Sequence, residues 1–306
     1  MEITPEIKEK LEKINAKYAA LGQDMGSYLD GLLYADTVKY WDYIAIDTLL
    51  SLQKPRTSFP DEVIFIVYHQ ITELYFKLAL REFEQISEKK DLTAEFLVER
   101  TTRINRYFEA LTKSFEIMVQ GMEKEQFLKF RMSLLPASGF QSAQYRFIEI
   151  ASTDFINLVH KDVRSNFKGT EPIKEMYQNI YWKEGATELV SGEKTLTLEQ
   201  FEERYSDEFI SFGEKHINTN LWQCYKSLPK VDQERDDVII ALKQNDVNVN
   251  INWPLVHYKS AVRYLHRAPD DIAATGGTNW QKYLPPRFQK RIFYPELWSE
   301  EEVNNW

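Results

Sequence analysis

Residues 65–81 read Phe65-Ile-Val-Tyr-His69-Gln70-Ile-Thr-Glu73-Leu-Tyr-Phe-Lys-Leu-Ala-Leu-Arg81, an apolar run that reads as a buried helix with a histidine set into it. His69 follows Phe65 by four residues, so on a helix the ring and the imidazole share one face and look into one space. A histidine on an apolar face is more often a satisfied core residue than a catalyst, and on this stretch alone both readings stand.

Outward from that helix the chain keeps the same period. Pro60, Asp61 and Glu62 give it a proline and two acids suited to a first turn, and it is expected to run to about Lys89. Thr4-Pro5-Glu6 predicts an earlier helix to about Leu21, followed by a short helix or irregular arm over Asp36–Gln53 and a linker over Lys54–Phe59. Phe108, Leu111, Phe115, Met118, Phe127, Phe130 and Leu134 carry a helical period through 95–135, which Pro136 stops. Another helix is expected from Phe140 past Phe155. Thr197 and Gln200 suggest a capping box before Phe201, within a polar stretch, 168–250, expected to wrap the core. Asn252-Trp-Pro-Leu-Val-His257 opens a further helix to about Arg267, with Pro254 near its first turn. No repeat, no alternating strand pattern and no Gly/Ser/Pro-rich divider appears, so the expectation is all-α, one large domain over 1–306.

Composition agrees: 18 Phe, 17 Tyr and 7 Trp against 11 Gly and 11 Pro suggest long helices around bulky, flat contents. A net charge of -9, with no basic run interleaved with aromatics, argues against a nucleic-acid partner. Cys224 is the only cysteine, which excludes an intramolecular disulfide and a cysteine-built zinc or iron–sulfur site, and fits a reducing compartment. The start of the chain has neither the positive end nor the apolar stretch of a signal peptide, and runs such as Val63–Val67 are too short to span a bilayer, so a soluble cytoplasmic protein without membrane contact is expected.

Of the histidines His69, His160, His216, His257 and His266, none pairs with a second ligand at zinc or di-iron spacing except His69 with Glu73, a half-site without further partners. No serine stands in a nucleophile elbow. Phe127 and Arg131 repeat the spacing of Phe65 and His69, and Arg131 before a loop with Ser138 and Gly139 suits bidentate grip of a carboxylate; an exposed, salt-bridging arginine is the plainer alternative. Thr275-Gly-Gly-Thr278 suits a backbone folded close over a ligand, or simply a loop ending a helix; it lacks the lysine and the strand–helix setting of a P-loop.

Tyr40-Trp-Asp-Tyr43-Ile44, Leu49-Leu-Ser-Leu-Gln53, Asp61-Glu62, Phe65-Ile-Val-Tyr-His69-Gln70, Glu73-Leu74, Phe130-Arg131, Pro136-Ala-Ser-Gly-Phe-Gln-Ser-Ala-Gln-Tyr-Arg146, His257 with Arg263, Thr275-Gly-Gly-Thr278 and Phe293-Tyr-Pro-Glu-Leu-Trp298 follow one another along nearly the whole chain. In that order they resemble the tryptophan 2,3-dioxygenase family. The resemblance implies a helical fold enclosing a b-type haem with His257 as the proximal iron ligand, leaving the other iron face for dioxygen. It implies His69 on the distal side bonding the indole N–H, Phe65 packing on the substrate, Arg131 holding its carboxylate, and Thr275 touching its amino-acid end. It also implies that Ser138, Gly139 and Phe127 line the same substrate site. Tyr40, Tyr43 and Ile44 match a segment that reaches a neighbouring subunit's active site in a homotetramer, making about 1–58 an exchanging arm.

The activity so implied is cleavage of the indole C2–C3 bond of L-tryptophan with dioxygen to N-formylkynurenine, the first step of tryptophan catabolism. Two departures touch substrate positioning: Phe127 stands where the family has tyrosine, and Ala274 where it has glycine, with a longer spacing from His257. They keep open a related haem oxygenase or peroxygenase acting on a substituted tryptophan or another aromatic amino acid. A non-catalytic helical binding protein is the remaining alternative.

Overall fold

The computed structural model describes residues 3–35, 39–187, 193–266 and 280–304. It is helical throughout, and among the described residues the only β pairing is two isolated bridges, Val159 with Ile180 and Thr187 with Lys194. By its internal contacts the chain divides into two compact units, Met1–Gln53 and Lys54–Trp306.

In the N-terminal unit, Thr4 caps the helix Pro5–Ala20 through its hydroxyl on Ile7 N, with Pro5 at the first position, where a missing N–H costs nothing. Met25–Leu33 is capped by Asp24, and two short helices, Tyr40–Tyr43 and Ile46–Leu50, are joined through Ala45 in the left-handed region at φ 50°. None of these four helices buries a residue within its unit.

The second unit is organised by Asp61–Ser87, which packs along Ala94–Ser114 on one side and Ala143–Ser152 on another. Length and composition alone would allow this helix to cross a membrane, a possibility the short apolar runs had argued against; here Tyr68, Phe76, Ala79, Phe83 and Ile86 are buried against protein. Its start is fixed by its two acids. Glu62, fully buried, accepts the Arg56 and Thr57 amides at 2.7 and 2.8 Å, while Asp61 accepts the Glu123 amide at 2.6 Å. Burial pushes the Glu62 pKa up, but these hydrogen bonds outweigh it and leave it below the usual value.

The expected 95–135 helix is broken into Ala94–Ser114, Glu116–Gln120, Lys124–Phe130 and a 3₁₀ turn Arg131–Leu134, with Gly121 in the second break. Beyond Pro136 a 3₁₀ turn Gly139–Gln141 precedes Ala143–Ser152, which ends before Phe155. The expected Thr197 cap is displaced: Thr195 caps Leu196–Lys215 through Leu198 N, while Thr197 lies inside the helix with its hydroxyl donating to Pro136 O at 2.9 Å.

Asp236–Val247, a π-helical turn Asn248–Asn252 and Trp253–Leu265 run on without interruption. Trp253 sits at the centre of the core, with Phe76, Phe108 and Phe115 each edge-on to its indole at 5.7, 6.4 and 5.4 Å. Such pairs each add about 0.5–1.5 kcal/mol beyond simple burial and fix the helix in rotation as well as position. A second aromatic cluster of Phe140, Trp182, Phe201 and Phe209 closes the far side of Ala143–Ser152, and the buried Cys224 thiol has its pKa pushed up to about 11 by burial.

Candidate functional site

Two helices bring His69 and His257 together. On Asp61–Ser87, His69 Nδ1 lies 2.7 Å from Phe65 O; on Trp253–Leu265, His257 Nδ1 lies 2.9 Å from Trp253 O. A carbonyl can only accept, so each ring carries its proton on Nδ1 and presents a bare Nε2 lone pair. Burial, with a positive charge on His69 adding to it, pushes the His257 pKa down to about 4 against the opposing pull of the Trp253 carbonyl. Burial also lowers the His69 pKa, opposed by Phe65 O and Glu73. Both rings are therefore neutral at neutral pH, and they lie near enough for a charge on one to disfavour a charge on the other.

The bond to the carbonyl one turn back is not itself diagnostic. His216 makes the same contact to Phe212 O at 2.9 Å and stacks on Phe212 at 3.9 Å. What separates His69 and His257 from it is their nearness to each other and the aromatic rings around each. Phe65 lies 4.1 Å from the His69 ring, and Phe65, Phe127 and Phe130 form a mutual aromatic wall at 5.6–6.2 Å, extended by Tyr264 at 4.5 Å from Phe127. Phe115 and Trp253 flank His257 at 4.4 and 4.3 Å.

These residues fit a flat, apolar prosthetic group held by one imidazole: a neutral ring with Nδ1–H anchored, Nε2 free to ligate, and aromatic surfaces to either side. Among the described residues no group of three or more His, Cys, Asp or Glu side chains gathers as for a bare metal ion.

Arg131 is 4% exposed, so it is not the exposed surface arginine of the plainer alternative. It opens the 3₁₀ turn directly after Phe130, whose ring packs on Phe65, and burial lowers its guanidinium pKa. A guanidinium so withdrawn from water attracts a carboxylate more strongly than a surface one. Ser138 caps Gly139–Gln141: its hydroxyl accepts from Phe140 N at 3.3 Å and its N–H donates to the Gln141 side chain at 3.2 Å. A Cβ added to Gly139 would meet nothing within 4 Å, so this backbone does not demand glycine.

Tyr40 and Tyr43 are exposed and Ile44 half-buried, all within the N-terminal unit. Thr275, with the rest of Ala274–Thr278, lies outside the described residues. Three contributors escaped the sequence: Phe115, Trp253 and Tyr264. Trp253 and Tyr264 were signalled by their spacing of four before and seven after His257, which puts them near its helix face; Phe115 comes from a distant segment and carried no such sign.

The family model for tryptophan 2,3-dioxygenase matches residues 32–239. Over most of its length the chain is similar to proteins named tryptophan 2,3-dioxygenase: 39% identical to that of Ruegeria sp. (strain TM1040), and 37% to that of Bacillus anthracis, each match covering 87% of this chain and 92% of the relative. The protein of that name from Pseudomonas fluorescens is 26% identical, over 87% of this chain and 91% of its own length. With the family model spanning more than half of the chain and such relatives matched nearly end to end, this chain belongs to the tryptophan 2,3-dioxygenase family.

Proposed function

We propose that this protein is a haem-dependent dioxygenase that inserts both atoms of dioxygen across the indole C2–C3 bond of L-tryptophan, giving N-formylkynurenine. The observation that carries this is the pair of neutral histidines, His69 and His257, close enough to sense each other's charge, each set beside aromatic rings and each with Nε2 unprotonated. His257 Nε2 would hold the haem iron, its ring kept in aim by the Nδ1–H bond to Trp253 O. Iron protoporphyrin IX bound there supplies the activation of dioxygen, which no side chain of this chain provides.

The chain's own residues bind and orient. His69 Nε2 accepts the indole N–H, a group that only donates. Phe65 offers its face to the indole, while Phe127 and Phe130 keep water from it. Arg131 takes the substrate carboxylate, and Thr275 and the Ser138–Gly139 loop complete the amino-acid end. Because Phe127 has no hydroxyl, Arg131 carries more of the carboxylate contact than it would beside a tyrosine.

Tyr40, Tyr43 and Ile44 complete a neighbouring subunit's site in a homotetramer. Two observations support self-association: Leu32, Leu33, Tyr34, Tyr40 and Tyr43 are exposed in the N-terminal unit, and Ile71, Leu74 and Leu78 form an exposed apolar stripe on Asp61–Ser87. The enzyme is read as soluble and cytoplasmic.

Mixing reduced, haem-loaded protein with tryptophan and oxygen and following N-formylkynurenine tests the proposal; a protein that takes up haem yet forms none overturns it. Phe127 favours a second reading, an oxygenase for a ring-substituted tryptophan. Kinetics with hydroxylated and methylated analogues decide it, and faster turnover of an analogue than of tryptophan would establish that reading.

A further inference from the structure

The helix that carries His257 does not begin at Trp253. It continues Asp236–Val247 through the π-helical turn Asn248–Asn252, where the Trp253 N–H bonds back five residues to Asn248 O rather than four. One residue inserted in this way rotates everything after it by about 100° around the axis relative to an unbroken α-helix. The direction of His257 therefore depends on the turn.

The turn has a weak point. With the Trp253 N–H committed to Asn248 O, the next donor in line for Val249 O is residue 254, a proline without an N–H. Val249 is fully buried, so water is no substitute. Its carbonyl is met instead from another helix: the Tyr145 hydroxyl donates to Val249 O at 3.1 Å. Arg291 Nη2 donates to that same Tyr145 oxygen at 2.9 Å, leaving the phenol proton for the carbonyl. Arg291 Nε also donates to Asn250 Oδ1 in the middle of the turn, while Asn250 Nδ2 donates to Asp246 at 2.6 Å. Glu149, 2.7 Å away, balances the buried guanidinium.

We infer that Tyr145, oriented by Arg291, is a positioning residue for the haem ligand: by capping Val249 O it sustains the π-turn that aims His257 at the site. This rests on the reading of His257 as the residue that would hold the haem iron. Tyr145 and Arg291 act here through the helix, by the bonds they make to the π-turn.

Tyr145→Phe removes one oxygen and keeps the ring on Phe76, 5.6 Å away. Transfer of haem from the variant to an excess of apomyoglobin is expected to run about tenfold faster or more, the scale seen when a metal ligand loses its outer-shell partner. The resonance Raman iron–histidine stretch of the ferrous form is expected to shift, with the far-UV circular dichroism retained. Pro254→Ala restores a backbone donor at position 254, so in that background Tyr145→Phe is expected to lose most of its effect on both readouts. Wild-type-like haem release and an unshifted stretch in a folded Tyr145→Phe protein would overturn the inference, as would an effect undiminished in the Pro254→Ala background. A wild-type protein that takes up no haem would instead overturn the ligand assignment on which it rests.

Discussion

The imidazole of His257 is tied to the carbonyl of Trp253 one turn earlier, Nδ1 to O at 2.9 Å, and Trp253 is itself held edge-on by three phenylalanines. A core residue thus fixes both the tautomer and the direction of the ring proposed to bind iron. His257→Ala is expected to leave the helical fold intact, since alanine suits the interior of Trp253–Leu265, but to weaken haem binding more than about 100-fold, beyond what loss of an outer-shell partner costs. Titration of apo-protein with haem, followed by the Soret band, measures it; a normal spectrum and affinity would contradict the assignment.

His69 is assigned a single neutral hydrogen bond, of about 1 kcal/mol. His69→Ala is therefore expected to lower kcat/KM for tryptophan only roughly fivefold to tenfold and to leave measurable turnover. With tryptophan methylated on the indole nitrogen, which has no proton to give, the same substitution is expected to change little. An equal loss on both substrates would show that His69 does something other than accept the N–H.

Arg131→Ala removes a charge-assisted contact of about 2–3 kcal/mol and is expected to raise the KM for tryptophan by roughly 30- to 150-fold with a smaller change in kcat. Binding of tryptamine, which has no carboxylate, to wild type and variant is the control. If the variant weakens both ligands alike, Arg131 acts through packing and not through the carboxylate.

Asp246 supplies a pH test in the fold itself. Burial pushes its pKa up to about 6, held from going higher by donors from Phe293 N, Asn250, Trp298 and Tyr294 N. Its folded value lies above its unfolded one, so the stability it contributes is fully present below about pH 4 and is lost as the pH rises through about 6. Relative to Asp246→Asn, which cannot titrate, the wild type is expected to lose up to about 3 kcal/mol between pH 4 and 7 in urea unfolding. A difference that stays constant with pH would show that Asp246 does not titrate in this range.

The helix around His69 was legible because its apolar residues follow a helical period and its first-turn acids sit where the dipole favours them. Other features depended on partners far along the chain. Thr195 and Thr197 are equally good caps in sequence, and their partners, Ala186 O for Thr195 and Pro136 O for Thr197, lie outside the helix itself. The π-turn is invisible in composition, since its stabilising groups come from Tyr145 and Arg291. Arg131 read equally well as a surface residue until its burial was known. That His69 and His257 lie near each other was to be expected only from the family resemblance, because nothing local to either helix points to the other.

The most direct test of the central claim is turnover of L-tryptophan by the reduced, haem-loaded protein under isotopically labelled dioxygen, with the product analysed by mass spectrometry. The account predicts N-formylkynurenine carrying two labelled oxygen atoms from one molecule of dioxygen, and none from the His257→Ala protein. A product carrying a single labelled atom, or undiminished product from His257→Ala, would contradict it.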